Sequence, residues 1–230
     1  MSRLSKRKQI EIELGNKIIE LLSHNQWERI SQDTDSYYSF EKKIQQSTIR
    51  VDLGLSNQTN YSIDLWQEII FNDLTAIIEE NFSCVIKNIK KDFPSEWGDF
   101  NWEVVSIRDT FIKYPNLNIH KNSNLSELAN YISELIVCEE NNILKDLTNI
   151  DYVFQKNSSK LRWQWLSRPY LQYALFMIAY AIKNNKLDIM HNLKHKIDEI
   201  SQQNMPDPKN SLVIVEILLA EACSKYSPPV

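Results

Sequence analysis

Glycine is nearly missing from this chain: three residues in 230, Gly15, Gly54 and Gly98, all far apart. An average protein carries roughly 7%. A phosphate-cradling loop, a dinucleotide fingerprint and a nucleophile elbow each need clustered glycines for tight turns and close backbone approach. None of them can be written with these three. Cysteine is also scarce. Cys84, Cys138 and Cys223 are widely spaced and odd in number, each among apolar residues at helical spacing. They are expected as reduced, buried thiols in a reducing compartment, not as a disulfide frame. No apolar run approaches the roughly 18 to 20 residues that span a bilayer; the longest, 174–182 and 212–220, are short. The basic start, Arg3, Lys6, Arg7 and Lys8, leads into a pattern broken by Glu11, Glu13 and Lys17, not into a signal-peptide core. The expectation is a cytoplasmic protein without a membrane. A cationic excess is lacking as well: 26 Lys and Arg stand against 30 Asp and Glu, a net charge of −4. That disfavours a general nucleic-acid coat and suits a basic protein partner.

Core-forming material is plentiful. Hydrophobic residues make up 43% of the chain, with six Trp, ten Tyr and eight Phe to fill an interior. Leu14, Ile18, Leu21 and Leu22 recur at helical spacing and predict a helix over about 4–24. The period then changes to two. Tyr38, Phe40 and Ile44 alternate with polar residues, and Ile49, Val51, Leu53 and Leu55 alternate with Thr48, Arg50, Asp52 and Gly54. This is the pattern of antiparallel strands with one face on a core. Alternation resumes at Tyr61, Ile63 and Leu65. A helix opening at Asp64 with Gln67 as a capping-box partner competes with a strand to about residue 69, and the alternation favours the strand. A helix follows from Asn72 to about Lys91, and Phe100, Trp102 and Val104 predict a fourth strand over 100–107 with a bulge. Residues 114–123 read as loop. Asn124 with Glu127 signals a helix start before Leu125, Leu128, Ile132, Leu135 and Ile136. Beyond residue 150 only helices are expected, at about 160–167, 169–184, 187–203 and 211–225. Asn is expected to fill turn positions where other chains use Gly, since it tolerates left-handed backbone. The predicted class is α+β: an antiparallel sheet of about four strands covered by helices, with a helical C-terminal third. The domain reading is 1–156 as the α+β domain and 157–230 as a helical extension.

Candidate chemistry is thin. His191 and His195 share a helix face, a metal-like spacing, but no Glu lies between them and no third ligand is evident, so a solvated surface is expected. His24 and His120 fall at predicted element ends. The consecutive pairs Glu79-Glu80 and Glu139-Glu140 point apart on a helix and read as solvated faces, whereas acid–base work needs convergent carboxylates. No catalytic residue, metal or cofactor is implied. The densest aromatic–basic stretch is Lys160 to Tyr170. Within it, Arg162, Trp163, Trp165, Arg168 and Tyr170 are interface candidates, because Trp, Tyr and Arg are the usual anchors of protein interfaces. Inward packing of Trp163 and Leu166 is the alternative, and base stacking on nucleic acid a third.

The initial amphipathic helix, Ser39-Phe40-Glu41-Lys42, Ile49 to Leu55, Tyr61-Ser62-Ile63-Asp64 and the Leu125–Ile136 helix occur in an order that resembles a bacterial α+β domain family. Similar proteins in that family occur as cognate immunity proteins beside secreted polymorphic toxins. The resemblance covers roughly residues 5–155, carries over no catalytic residue and implies a binding role. The functional expectation is therefore a non-enzymatic protein that binds a protein partner, an immunity-type inhibitor occluding a basic toxin domain. Two other classes stay open. One is a hydrolase-like enzyme with a site assembled from distant His and carboxylates. The other is a structural subunit of a larger assembly, which would expose a large apolar patch.

Overall fold

A computed structural model describes residues 6–30, 38–56, 61–92, 105–108, 117–119, 123–158, 169–202 and 211–226. It is an α+β protein with an antiparallel sheet and a helical C-terminal third. The chain divides into two compact units, each built from two stretches: Met1–Ile69 with Arg108–Asn149, and Ile70–Ile107 with Ile150–Val230. This division differs from the two consecutive stretches, 1–156 and 157–230, read from the sequence. A middle segment trades places because helix–helix packing, which leaves no local signal, decides where it belongs.

The first unit begins with α1 (Lys6–Leu22) and a 3₁₀ turn (Ser23–Asn25). Next come β1 (Glu28–Ile30), β2 (Tyr38–Ile44), β3 (Ser47–Leu55) and β4 (Tyr61–Phe71), neighbours in that order. β1 pairs antiparallel with β2 and β2 with β3, the latter two joined by the two-residue turn Gln45–Gln46. Phe40 faces Val51 and Lys42 faces Ile49 across β2 and β3, and Ser56 N–H donates to Ser62 C=O (2.9 Å) to close the next hairpin. A short strand, β6 (Leu117–Ile119), pairs antiparallel with the start of β4, setting Ile119 opposite Tyr61. It lies inside the stretch read as loop, because three residues are too few for alternation to show.

Phe40, Ile49, Val51 and Leu53 form the inward face of the sheet, all fully buried. Leu14, Ile18 and Leu22 of α1 are buried with them, whereas Leu21, placed on the same stripe by its spacing, points out at 41% exposure. α1 meets the sheet at Gly15, where a Cβ would stand 2.5 Å from the Tyr38 ring. Glycine is therefore required by close approach, not by backbone conformation. Tyr38 completes the contact by donating from its hydroxyl to Asn16 Oδ1 (2.8 Å), with the Arg29 guanidinium 4.6 Å from its ring centroid. Beside α1 lies α3 (Leu125–Glu139), N-capped by Asn124, whose side chain accepts from Ser126 N–H and donates to Glu127. The predicted helix start is realised with Asn124 as N-cap, and Glu127 meets the Asn124 side chain instead of its backbone N–H. α3 runs on into a π-helical turn (Glu140–Leu144) and one turn of α-helix, α4 (Lys145–Leu147).

The second unit takes the end of β4, then α2 (Asn72–Asp92), β5 (Ser106–Arg108), α5 (Ile150–Ser158), α6 (Pro169–Lys183), α7 (Leu187–Gln202) and α8 (Ser211–Tyr226). Phe71 N–H donates to Val105 C=O and Val105 N–H to Thr75 Oγ1, tying β4, β5 and the first turn of α2 together. Of the predicted strand over 100–107, residues 106 and 107 belong to β5, and 100–104 lie outside the described residues. So does the helix expected at 160–167. The centre of the unit is α6, buried continuously from Ala174 to Ala181 and packed by α2, α7 and α8. A helix apolar all round is what a central position demands. Phe176 meets Phe71 edge-on (5.3 Å), and Phe154 stacks on Tyr180 (4.1 Å). α6 ends in a Schellman motif. Asn185 takes φ 53°, Lys186 N–H donates to Ala181 C=O, and Asn185 N–H donates to Ile182 C=O. Here Asn does the work of Gly, as expected from the sequence. At the other described positive-φ positions, Gln26 and Gln45, glutamine does it instead.

The expected burial of the thiols is corrected. Cys84 and Cys138 are exposed and Cys223 is partly so. The stripe of α2 is Leu74, Ile78, Phe82, Ile86 and Ile89, and Cys84 falls off it.

Candidate functional site

The sheet of the first unit has a second face, turned away from α1. Alternation puts Glu41 and Lys43 of β2 there with Thr48, Arg50, Asp52 and Gly54 of β3. The contact of Arg50 with Glu68 adds the even-numbered residues of β4: Ser62, Asp64, Trp66 and Glu68. Part of this face is closed: Ser39, Thr48, Asp52 and Gly54 are buried, and Ser39 Oγ donates to Asp52 Oδ1 at 2.6 Å. The rest keeps solvent contact. Glu41, Arg50, Asp64, Trp66 and Glu68 are partly exposed, and Lys43 is exposed.

Arg50 organises this surface. Its Nε and Nη2 both donate to Glu41 Oε1 (2.8 and 2.6 Å), and Nη1 lies 3.6 Å from Glu68 Oε2. Burial acts to lower the pKa of Arg50, but the hydrogen bonds and charge of Glu41, followed by the charges of Glu68 and Asp52, outweigh it and raise the value. The guanidinium is thus a fixed cation among carboxylates. One strand further out, Glu28 stands directly opposite Glu41. Like charges in that position cost stability, so the carboxylates have been assembled against the preference of the sheet. Among the described residues the product is an acidic surface carrying the large aromatic ring of Trp66.

At the end of the inward face, three residues far apart in sequence converge on the π-helical turn. Glu140 accepts from Trp27 Nε1 (3.1 Å) and from Lys42 Nζ. Lys42 and Glu140 are only 13% and 14% exposed. The end of α3 aims this carboxylate: Glu140 keeps helical backbone angles (φ −55°, ψ −46°) and its N–H still donates to Ile136 C=O. Expecting Glu140 on a solvated face is therefore corrected: it is the carboxylate of a nearly buried ion pair. Glu79 and Glu80 are exposed, as read.

The other sequence candidates distribute as follows. Arg162, Trp163, Trp165 and Arg168 lie outside the described residues, and Tyr170 falls in the first turn of α6. His24, His191 and His195 are exposed, and His120 lies outside the described residues. Among the described residues no three His, Cys, Asp or Glu side chains gather as metal ligands, and no helix is long and apolar enough to cross a membrane. Trp66 was not singled out by the sequence, although a signal existed: once β4 alternates, Asp64, Trp66 and Glu68 must share the outward side. No protein-family model, curated protein or solved structure matches the chain.

Proposed function

We infer that the protein is a binding protein whose partner is a basic protein domain, in the manner of an immunity-type inhibitor. The observation that carries this reading is Trp66 set between Asp64 and Glu68 on the carboxylate-rich sheet face. Tryptophan is the residue most often found as an interface hot spot. Carboxylates around such an anchor speed the encounter with a cationic surface and select against acidic ones. The net charge of −4 acts in the same direction. An inhibitor working this way needs no chemistry of its own. It needs a rigid face, and a sheet backed by α1 and locked through Arg50 provides one.

The test is native affinity purification of the tagged full chain from its host, after nuclease treatment, with wild type, Trp66→Ala and Asp64→Lys run side by side. A stoichiometric basic protein is expected on the wild type, weakened as salt rises and lost from both variants while their melting temperatures hold. Retention of that partner by both variants, or a wild-type chain recovered alone, would overturn the reading.

A further inference from the structure

One side of α7 is committed to the core and the other is not. Ile189, Met190, Leu193 and Ile197 are buried, and α6 and α8 pack against the helix, so its backbone is held firmly. On the opposite side Asp188, His191, His195 and Asp198 are all exposed. Steps of three, four and three residues set these four in one row along the helix. Neighbours in such a row stand about 5–6 Å apart at Cβ. The two imidazoles are the inner pair, and a carboxylate flanks each on its outer side. Lys194, also exposed, lies at the margin of the row, and its flexible stem lets the ammonium swing into solvent.

We propose that His191 and His195 chelate one divalent ion of the nickel, copper and zinc class across a single turn of α7. The ion takes one ring nitrogen from each histidine and water elsewhere. It therefore needs no third side chain, and none gathers there among the described residues. Metal–nitrogen bonds of about 2.0–2.1 Å bring the two donor atoms about 3 Å apart. Two rings on neighbouring turns of one face reach that separation by turning about χ1 and χ2. Because the core fixes the helix, little more than side-chain freedom is lost on binding. Imidazole selects the metal class, since magnesium and calcium prefer oxygen ligands. Asp188 and Asp198 contribute negative charge and stand where a carboxylate can accept the second ring N–H of its histidine, which orients the ring. The site is independent of the sheet face and stands whether or not that face binds a protein.

The probe is zinc, titrated into the metal-free full chain carrying labelled histidine in mildly alkaline buffer. The chain has four histidines, so each ring is followed by its own resonance. Zinc taken up by a cysteine does not enter that readout. The His191 and His195 rings are expected to shift together on one saturation curve that the other two histidines do not share. Its Kd should be on the order of 10 µM, far weaker than a four-ligand structural site. His191→Asn should weaken the response of His195 about tenfold or more, and His195→Asn should do the same to His191. Asp188→Asn combined with Asp198→Asn should weaken both several-fold, somewhat under the roughly 10–100-fold of a buried supporting shell. All the substituted residues are exposed, so the variants keep the fold. Magnesium at the same concentration should leave the rings unmoved. Rings that saturate at different zinc concentrations, or a His195 response untouched by His191→Asn, would overturn the proposal. So would magnesium acting as zinc does, or no shift by about 1 mM free zinc.

Discussion

The two units hold together by different means. In the first, polar side chains join points distant in sequence: Trp27 and Lys42 to Glu140, Ser47 Oγ to Thr148 C=O, Tyr38 to Asn16, and Ser39 to Asp52. In the second, one helix apolar all round, α6, is gripped by its neighbours, with Phe71, Phe154, Phe176 and Tyr180 meeting ring to ring. Its polar ties lie nearer the surface, as between Lys183 Nζ and Asp73 Oδ2. Directional bonds fix the geometry of the first unit at a cost in desolvation, while area and fit stabilise the second. A surface that presents a set pattern of charge gains from the first kind of construction.

The largest test of this contrast lies in the second unit. Phe176→Ala is expected to lower stability by about 3–5 kcal/mol in urea unfolding, the cost of an emptied aromatic site in a tight core. A loss below about 1 kcal/mol would mean that α6 is not the centre of that unit. Next comes Glu140→Ala, which strands the Lys42 ammonium and frees the Trp27 indole. About 2–3 kcal/mol should be lost, somewhat under the ~3–5 of a fully buried pair because both side chains keep a little exposure. Adding Lys42→Met should return part of that loss by removing the stranded charge, and strict additivity of the two changes would show that they do not interact.

Gly15→Ala should cost about 1 kcal/mol net, an overpacking loss of about 1–3 set against a helix-propensity gain near 1. In a Tyr38→Ala background the same change should become stabilising; a loss in both backgrounds would place the clash elsewhere. An effect of similar size belongs to Asn185. Replacement by Ala should cost about 1 kcal/mol at its left-handed backbone, and replacement by Gly should be neutral or slightly stabilising. Thermal melts of the pair check this, with equal melting temperatures for Ala and Gly counting against it.

Periodicity made the larger elements legible. Ile, Val and Leu at every second position from 49 to 55 predict a strand, and β3 follows them from Ser47 to Leu55, but it is buried on both faces except at Arg50, because its polar face is covered as well. The stripe beginning at Leu74 gave α2, and the Asn124–Glu127 pair gave the start of α3. What stayed hidden involves partners. Nothing near Glu140 reveals that Trp27 and Lys42, about a hundred residues earlier, will meet it, so a solvated glutamate was the natural reading. The cysteines were misplaced because apolar neighbours in sequence are not neighbours on a helix face. The candidate sheet face was half legible: the alternation of β4 placed Trp66 outward, but the grouping of Arg50, Glu41 and Glu68 needed three strands in register. The aromatic–basic stretch at 162–168 stands out by composition alone, and lies outside the described residues.

The interleaving of the two units has a consequence during synthesis. α2 leaves the ribosome early, yet the helix that covers its stripe of Leu74, Ile78, Phe82, Ile86 and Ile89 begins only at Pro169. Roughly 80 residues must be added in between, which at about 5–20 residues per second takes about 4–15 s. Throughout that interval a nascent chain holds out a greasy rod of about 2 nm with no lid, long enough for a chaperone to find it and for crowded neighbours on a polysome to stick to it.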